Sequence, residues 1–180
     1  MIKTRLVIVA LLAAILTSSG CGYALAGRGS YLPAYIKTIG LPLFTNNTPV
    51  FDVERKITQK VSAELIGRGR YTVKPDRTGV DALLTGEIMS ISYAPTAFNQ
   101  QQQATRYSVT LVAKIEFRDL KTDKVLWSNP GMAFSEQYDV SSIVGQATDA
   151  ATFLGQNVNA LERLASEFAR AVISAILESF

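Results

Sequence analysis

The stretch "RYSVTLVAKIEFR", Arg106 to Arg118, repeats with a period of two. Tyr107, Val109, Leu111, Ala113, Ile115 and Phe117 fall on one side, and Arg106, Ser108, Thr110, Lys114, Glu116 and Arg118 on the other. Successive side chains of a strand point to opposite faces, so this segment is a strand with one face in a core and one in water. An apolar strand face of that length has to be covered. The rest of the chain is read for what covers it.

Two segments have the apolar spacing of a covering helix. Val53, Ile57, Val61 and Leu65 recur every four residues before Gly67, which ends the run. Thr48 as N-cap and Pro49 at the first helical position would open that helix, which extends to Ile66. Asn46 and Thr48 also match a glycosylation acceptor pattern, read here as cap chemistry. Leu161, Leu164, Ala165, Phe168, Val172 and Ile176 form the stripe of a second helix, Asn157 to Leu177, with Arg163 and Glu167 spaced to pair on its outside.

Further strands flank the central one. Tyr35 to Phe44 reads as the first, with Pro42 marking an edge or a bulge. Tyr71 to Val73 is the second. Ala82 to Tyr93 is a third, less regular and expected to be bulged, after a turn at Asp76 to Gly79. Lys121 to Lys124 turns the central strand into a fifth, with Val125 and Trp127 predicted on its inner face. Pro130-Gly131 interrupts that strand, and pairing resumes from Met132 to Tyr138. Pro95 to Gln103 and Val140 to Gln156 stay outside as loops; long connections of this kind are often functional and more often simply solvated. The expected fold is α+β, a two-layer sandwich. Its mixed, mostly antiparallel sheet of four to five strands has two helices on one face, in the order β-α-β-β-β-β-α, within one domain over residues 34–180.

Composition narrows the chemistry. The chain has no histidine and one cysteine, which removes the commonest general base and the commonest zinc ligand. No Walker loop or nucleophile elbow occurs, and Gly27-Arg28-Gly29 and Gly67-Arg68-Gly69 lack the third glycine of a dinucleotide fingerprint. Neither a metal nor a cofactor is expected, and an enzyme is disfavoured. A hydrolase with paired carboxylates stays open as an alternative, because sequence cannot pair Asp52, Glu54, Asp81, Glu87, Glu116 or Asp119.

The N-terminus has the form of an export signal. Lys3 and Arg5 precede an apolar block, Leu6 to Leu16, and then small residues from Thr17 to Gly20. The block is little more than half of the roughly 20 apolar residues that a spanning helix needs. A buried core helix is the rival reading, but it would lack a polar face. Residues 1–20 are therefore expected to be a signal. Without Lys3 and Arg5, the eighteen basic residues fall to sixteen against fifteen acidic ones, so no basic excess remains to attract nucleic acid. Small residues running into Cys21 resemble the lipobox of bacterial lipoproteins, with Ser18 where leucine is usual. That likeness implies a thiol carrying a diacylglyceryl group and an acylated amine. An ordinary secretory cut that leaves a free thiol is the alternative. Residues 21–33 then form a lipidated, glycine-rich linker. Gly22 stands where aspartate would mark inner-membrane retention, which is compatible with the outer membrane.

Several pieces together resemble the LptE-like lipopolysaccharide-assembly lipoproteins. They are "CGYALAGRGSYLP", "IKTIGLPLFTNNTPVFDVERKITQKVSAELIGRGRYTV", "VDALLTGEIMSISY" and "KTDKVLWSN", and the likeness extends over essentially the whole mature chain. The resemblance implies a non-enzymatic lipoprotein of the outer membrane, facing the periplasm. Its partner would be an LptD-like β-barrel translocon that it braces or plugs, and it would contact lipopolysaccharide. Phosphates on that glycolipid would be met by lysine or arginine. The candidates are Arg106, Lys114, Arg118, Lys121 and Lys124, whose ordinary role would be to keep an exposed strand soluble. A secretin pilot or a transporter-associated lipoprotein would share the tether with a different partner.

Overall fold

The computed structural model describes residues 32–68, 70–139 and 150–178, apart from the side chains of 150–158. The expected signal, Cys21, most of the linker and the 140–149 part of the second loop lie outside these residues. Within the described residues eight elements follow in order: β1 (Thr38–Gly40), β2 (Thr45–Asn46), α1 (Val53–Gly67), β3 (Thr72–Lys74), β4 (Ala82–Phe98), β5 (Ala104–Asp119), β6 (Lys124–Asp139) and α2 (Ala150–Glu178). The strands form one sheet ordered β3-β1-β4-β5-β6, with β2 also paired to β4. The β4–β5–β6 ladder is antiparallel, and β1 runs parallel to both β3 and β4.

The central strand is β5, and its inner residues Val109, Leu111, Ala113, Ile115 and Phe117 are buried. They share one core with Val53, Ile57, Val61 and Leu65 of α1 and with Leu161, Leu164, Ala165, Phe168, Val172 and Ile176 of α2. Both helix stripes are therefore where their spacing put them. The helices lie side by side and parallel. Lys60 pairs with Glu162 at 3.1 Å, and further along both helices Arg68 reaches Ser174 at 3.0 Å. Arg163 pairs with Glu136 of β6, and Glu167 with Arg170, instead of with each other.

Bulges account for the irregular strands. In β4, Ile88 faces Ala113 but Ser90 faces Val112, so Met89 is an extra residue and the inward set changes from even to odd numbers. In β6, Trp127 opposes Phe117 whereas Val125 opposes Arg118, with Leu126 the extra residue between them. Val125 is consequently 37% exposed on the outer face, against the expectation that it shares a side with Trp127. Pro130-Gly131 forms a second bulge opposite Lys114, in a strand that continues unbroken to Asp139. Pro95 to Phe98 are strand residues, so the first expected loop is only the turn Asn99–Gln103, closed by Asn99 N–H donating to the Gln103 carbonyl at 2.9 Å.

The segment before α1 departs most from its reading. Tyr35 to Phe44 is not one strand: β1 ends at Gly40, and Pro42 lies between β1 and β2. β1 is an inner strand, between β3 and β4. Thr48 does not cap the helix, which starts at Val53 after Asp52 in a left-handed conformation (φ 66°). The Asn46 side chain takes the intervening turn instead. It accepts from Thr48 N–H at 2.9 Å and donates to the Val50 carbonyl and to Glu54, both at 2.9 Å. Asparagine competes with helix in this way because its short amide reaches nearby backbone groups.

Phe44 explains one glycine. A Cβ at Gly86 of β4 would lie 2.3 to 2.6 Å from three carbons of the Phe44 ring, which is itself buried. Gly86→Ala is expected to cost about 2–3 kcal/mol of unfolding free energy, since overpacking forces off-rotamer side chains or backbone shifts. Adding Phe44→Leu should return part of that loss in chemical denaturation, because two residues in contact couple. Independent, additive losses would show that the ring is not what excludes the methyl group.

Candidate functional site

The outer face of β5 carries Arg106, Lys114 and Arg118, and the turn after it carries Lys121 and Lys124. At about 3.3 Å per residue, Arg106 and Arg118 are about 40 Å apart along the strand. The five residues are thus not one cluster. Arg106 is at the far end and Lys114 between. Arg118, Lys121 and Lys124 gather at the β5–β6 turn.

Their charges are unequally available. Arg106 donates to Asp139 at 2.6 Å. Arg118 is held between Glu116 at 2.9 Å and Asp123 at 3.1 Å, and those bonds raise its pKa further. Lys121 places its ammonium 4.7 Å above the centre of the Tyr35 ring, a cation–π contact. Lys114, Lys121 and Lys124 form no ion pair within the described residues. An anionic ligand therefore meets these lysines without breaking an existing bridge, whereas Arg106 and Arg118 would first have to release carboxylates.

Below the turn is a buried carboxylate. Asp119, 1% exposed, accepts from the Tyr35 hydroxyl, from Thr122 Oγ1 at 2.7 Å and from Lys121 N–H at 2.8 Å. Burial pushes its pKa up, but the bonds from Tyr35 and Thr122 outweigh that and hold it below the usual carboxylate range. The same bond to Asp119 pushes the Tyr35 phenol up. Beside it, Asp81 accepts from the backbone N–H groups of Lys37 and Thr38 at 3.0 and 2.8 Å, which lowers its pKa. This network pins the start of the described chain to the β5–β6 turn.

A lowered folded pKa means stability that is present above the unfolded value of about 3.9 and lost as pH falls through the folded value. Asp119→Asn, which turns an amide toward groups that already donate, should cost about 2–3 kcal/mol at pH 7. The gap to wild type should narrow below about pH 4, where Asp119 itself takes up a proton. A gap independent of pH would mean that the ionised carboxylate is not what the network requires.

Among the described residues, no group of three or more histidine, cysteine, aspartate or glutamate residues is placed to hold a metal. Three carboxylates line a groove along α2, but Glu136 pairs with Arg163, Glu162 with Lys60 and Glu167 with Arg170. No described helix is long and apolar enough to cross a membrane.

The reading from sequence found the basic residues and missed the Tyr35–Asp119 contact. Partners 84 residues apart leave no local trace. It also passed over the stack of Tyr107 on Tyr138 at the far end of the sheet. Only Tyr107 had a signal, as an inner member of the alternating set.

The chain is similar to several solved structures. A hypothetical protein of Chlamydia trachomatis, 9% identical, superposes with a TM-score of 0.52 over 78% of this chain and 95% of its own. A minor lipoprotein of Acinetobacter baumannii, 12% identical, gives 0.49 over 80% and 92%. Rare lipoprotein B of Shewanella oneidensis, 10% identical, gives 0.44 over 79% and 92%. At such identities the first likeness speaks for the fold alone. No curated protein matches the chain. The family assignment comes from the sequence itself, whose residues 36–176, from before β1 almost to the end of α2, match the LptE model: the chain belongs to the LptE lipopolysaccharide-assembly family.

Proposed function

We propose that this protein is an outer-membrane lipoprotein, anchored through Cys21 and facing the periplasm, that partners an LptD-like β-barrel translocon and braces or plugs it while contacting lipopolysaccharide. The family match over residues 36–176 carries this reading. The geometry supports a scaffold rather than a catalyst: a continuous core, long strands and carboxylates already engaged by cations or amides. The pinning of Tyr35 beside Asp119 brings a tether from Cys21 in at the lysine-bearing turn. Phosphates of the glycolipid would meet Lys114, Lys121 and Lys124 directly, and Arg106 and Arg118 after exchange of their carboxylate partners.

Affinity purification of the lipidated chain from membranes tests the partner. A β-barrel of the LptD type should co-purify; a secretin or a transporter in its place would overturn the assignment. Replacing Lys114, Lys121 and Lys124 by glutamine leaves every described ion pair intact. At low salt it should weaken lipopolysaccharide binding by about tenfold, given up to about 1 kcal/mol for each lysine near an anionic surface. Barrel co-purification should be unchanged, because docking over a standard interface depends on shape. Loss of the barrel instead would place the translocon on this face.

A further inference from the structure

The sheet has two long edges, and they are built differently. An unpaired edge strand invites pairing with another chain unless it is blunted. The edge at β6 is blunted several times over. Pro130-Gly131 bulges it, Arg163 of α2 reaches the Gln137 carbonyl at 3.5 Å, and Lys124, Glu136 and Asp139 carry charge. The other edge belongs to β4. β1 and β2 pair with it only as far as Ile88, whose carbonyl accepts from Asn47 N–H at 3.0 Å. Beyond that bond, no described strand lies along β4 on the side away from β5.

From Ser90 to Ala94 this second edge is bare. Ser90, Ser92, Tyr93 and Ala94 are exposed and Ile91 is half-buried. No proline interrupts it before Pro95, and no charged residue occurs between Glu87 and Arg106. The bulge at Met89 precedes the stretch and leaves it regular, with Ser90 to Ala94 opposing Val112 to Ser108 one for one. Ile91 and Tyr93 lie on its inner side, Ser90, Ser92 and Ala94 on its outer side. The two longer undescribed segments join the fold elsewhere: 1–31 lead in before β1, and 140–149 link β6 to α2. A second copy paired over so short a stretch would bury far less than the roughly 1,200 Å² of a stable interface. A partner already docked by shape needs no such area from the strand itself.

We propose that β4 from Ser90 to Ala94 takes up an extended segment of the barrel partner as an added strand. Main-chain N–H and C=O groups supply the hold, as in other strand additions. The two sides of β4 set the pattern of the segment: apolar residues beside Ile91 and Tyr93, small uncharged ones beside Ser90, Ser92 and Ala94. A charged segment would find no counter-charge here. A closed barrel keeps no free edge among its own strands, so the segment comes from a loop or a terminus of the partner. This rests on the reading that the protein partners a β-barrel, and it names a surface by which the barrel is held, apart from the lysines of the β5–β6 turn.

Hydrogen exchange of the lipidated full chain, alone and with the barrel that co-purifies from membranes, reads the added strand directly. The backbone amides of Ser90 to Ala94 should exchange about tenfold more slowly, or slower still, in the complex, because amides bonded in a ladder exchange only when it opens. Tyr93→Lys puts a charge on this edge and should weaken capture of the barrel by about tenfold, on the order of one to two main-chain hydrogen bonds. Ser128→Lys puts the same charge on the β6 strand and should leave capture unchanged. If Tyr93→Lys fails to fold, the exchange measurement on wild type decides alone. Unchanged exchange of these amides in barrel-bound wild type would overturn the proposal. So would a folded Tyr93→Lys protein that captures the barrel like wild type, or an equal loss from both lysine variants. Protection of the same amides in a dimer of the chain alone would give the edge to a second copy and overturn it too. If wild type brings down no barrel, the partner reading itself falls, and the added strand with it.

Discussion

Phe168→Asp should leave the protein unfolded under conditions in which wild type is native. Phe168 has no exposed surface and meets Phe134 of β6 edge-on, with centroids 5.5 Å apart and rings at 82°. It stands in the middle of the α2 stripe, between Ala165 and Val172, both fully buried. Truncating a buried phenylalanine costs about 3–5 kcal/mol. A carboxylate in its place adds a desolvation penalty of several kcal/mol even after relaxation, with no buried cation among the described residues to pair with it. The total is comparable to the whole stability of a typical domain, about 5–15 kcal/mol. Phe168→Leu, which keeps the site apolar, should cost only about 1–2 kcal/mol and unfold cooperatively. Circular dichroism melts of both variants decide the matter. A native-like melt for Phe168→Asp would mean that α2 does not bury this side against the sheet.

That prediction was already available from the sequence, for a physical reason. Period-two alternation in β5 and the apolar stripes of α1 and α2 are local signals, and burial of one face enforces them along the whole element. What could not be read depends on residues brought together from a distance. Regular alternation puts Val125 inside with Trp127, because residues two apart share a face; one extra residue, Leu126, reverses that, and its effect appears only in the ladder with β5. β1 is three residues long and is held between β3 and β4, so its neighbours rather than its own pattern define it. Pro49 and Thr48 are good helix-opening residues, but the Asn46 amide captures the turn first.

The basic residues show the same division. Their outward placement followed from alternation, but their availability did not. Arg106 is neutralised by Asp139, 33 residues away. Lys121 is turned onto Tyr35, far away in the chain and adjacent in space. The Tyr107–Tyr138 stack needed β5 and β6 in register before its rings could meet. Strand propensity alone would have scored Tyr93 and Tyr138 as ordinary strand residues.

Cys21→Ser should release the protein from the membrane wherever its barrel partner is absent. Each buried methylene of an attached chain contributes about 0.8 kcal/mol; a single chain binds marginally, whereas two or more hold a protein stably. The described helices offer no substitute, since none is long and apolar enough to span. Wild type should sediment with outer membranes and need detergent for extraction, with an intact mass showing an acylated Cys21 at the new N-terminus. Cys21→Ser should appear in the soluble periplasmic fraction, or as unprocessed precursor, when the barrel partner is absent. With the barrel present it should still be recovered on the barrel, because docking by shape does not require the lipid. The segment from Cys21 to Leu32 spans at most about 40 Å when extended, and Tyr35 is fastened to the β5–β6 turn through Asp119. A lipid on Cys21 would therefore keep the lysine-bearing end of the sheet close to the inner leaflet, so that loss of the lipid should slow capture by the barrel more than it weakens the finished complex. An unmodified N-terminus in wild type, or a Cys21→Ser protein that stays membrane-bound without the barrel, would show that something other than a lipid on Cys21 holds this domain at the membrane.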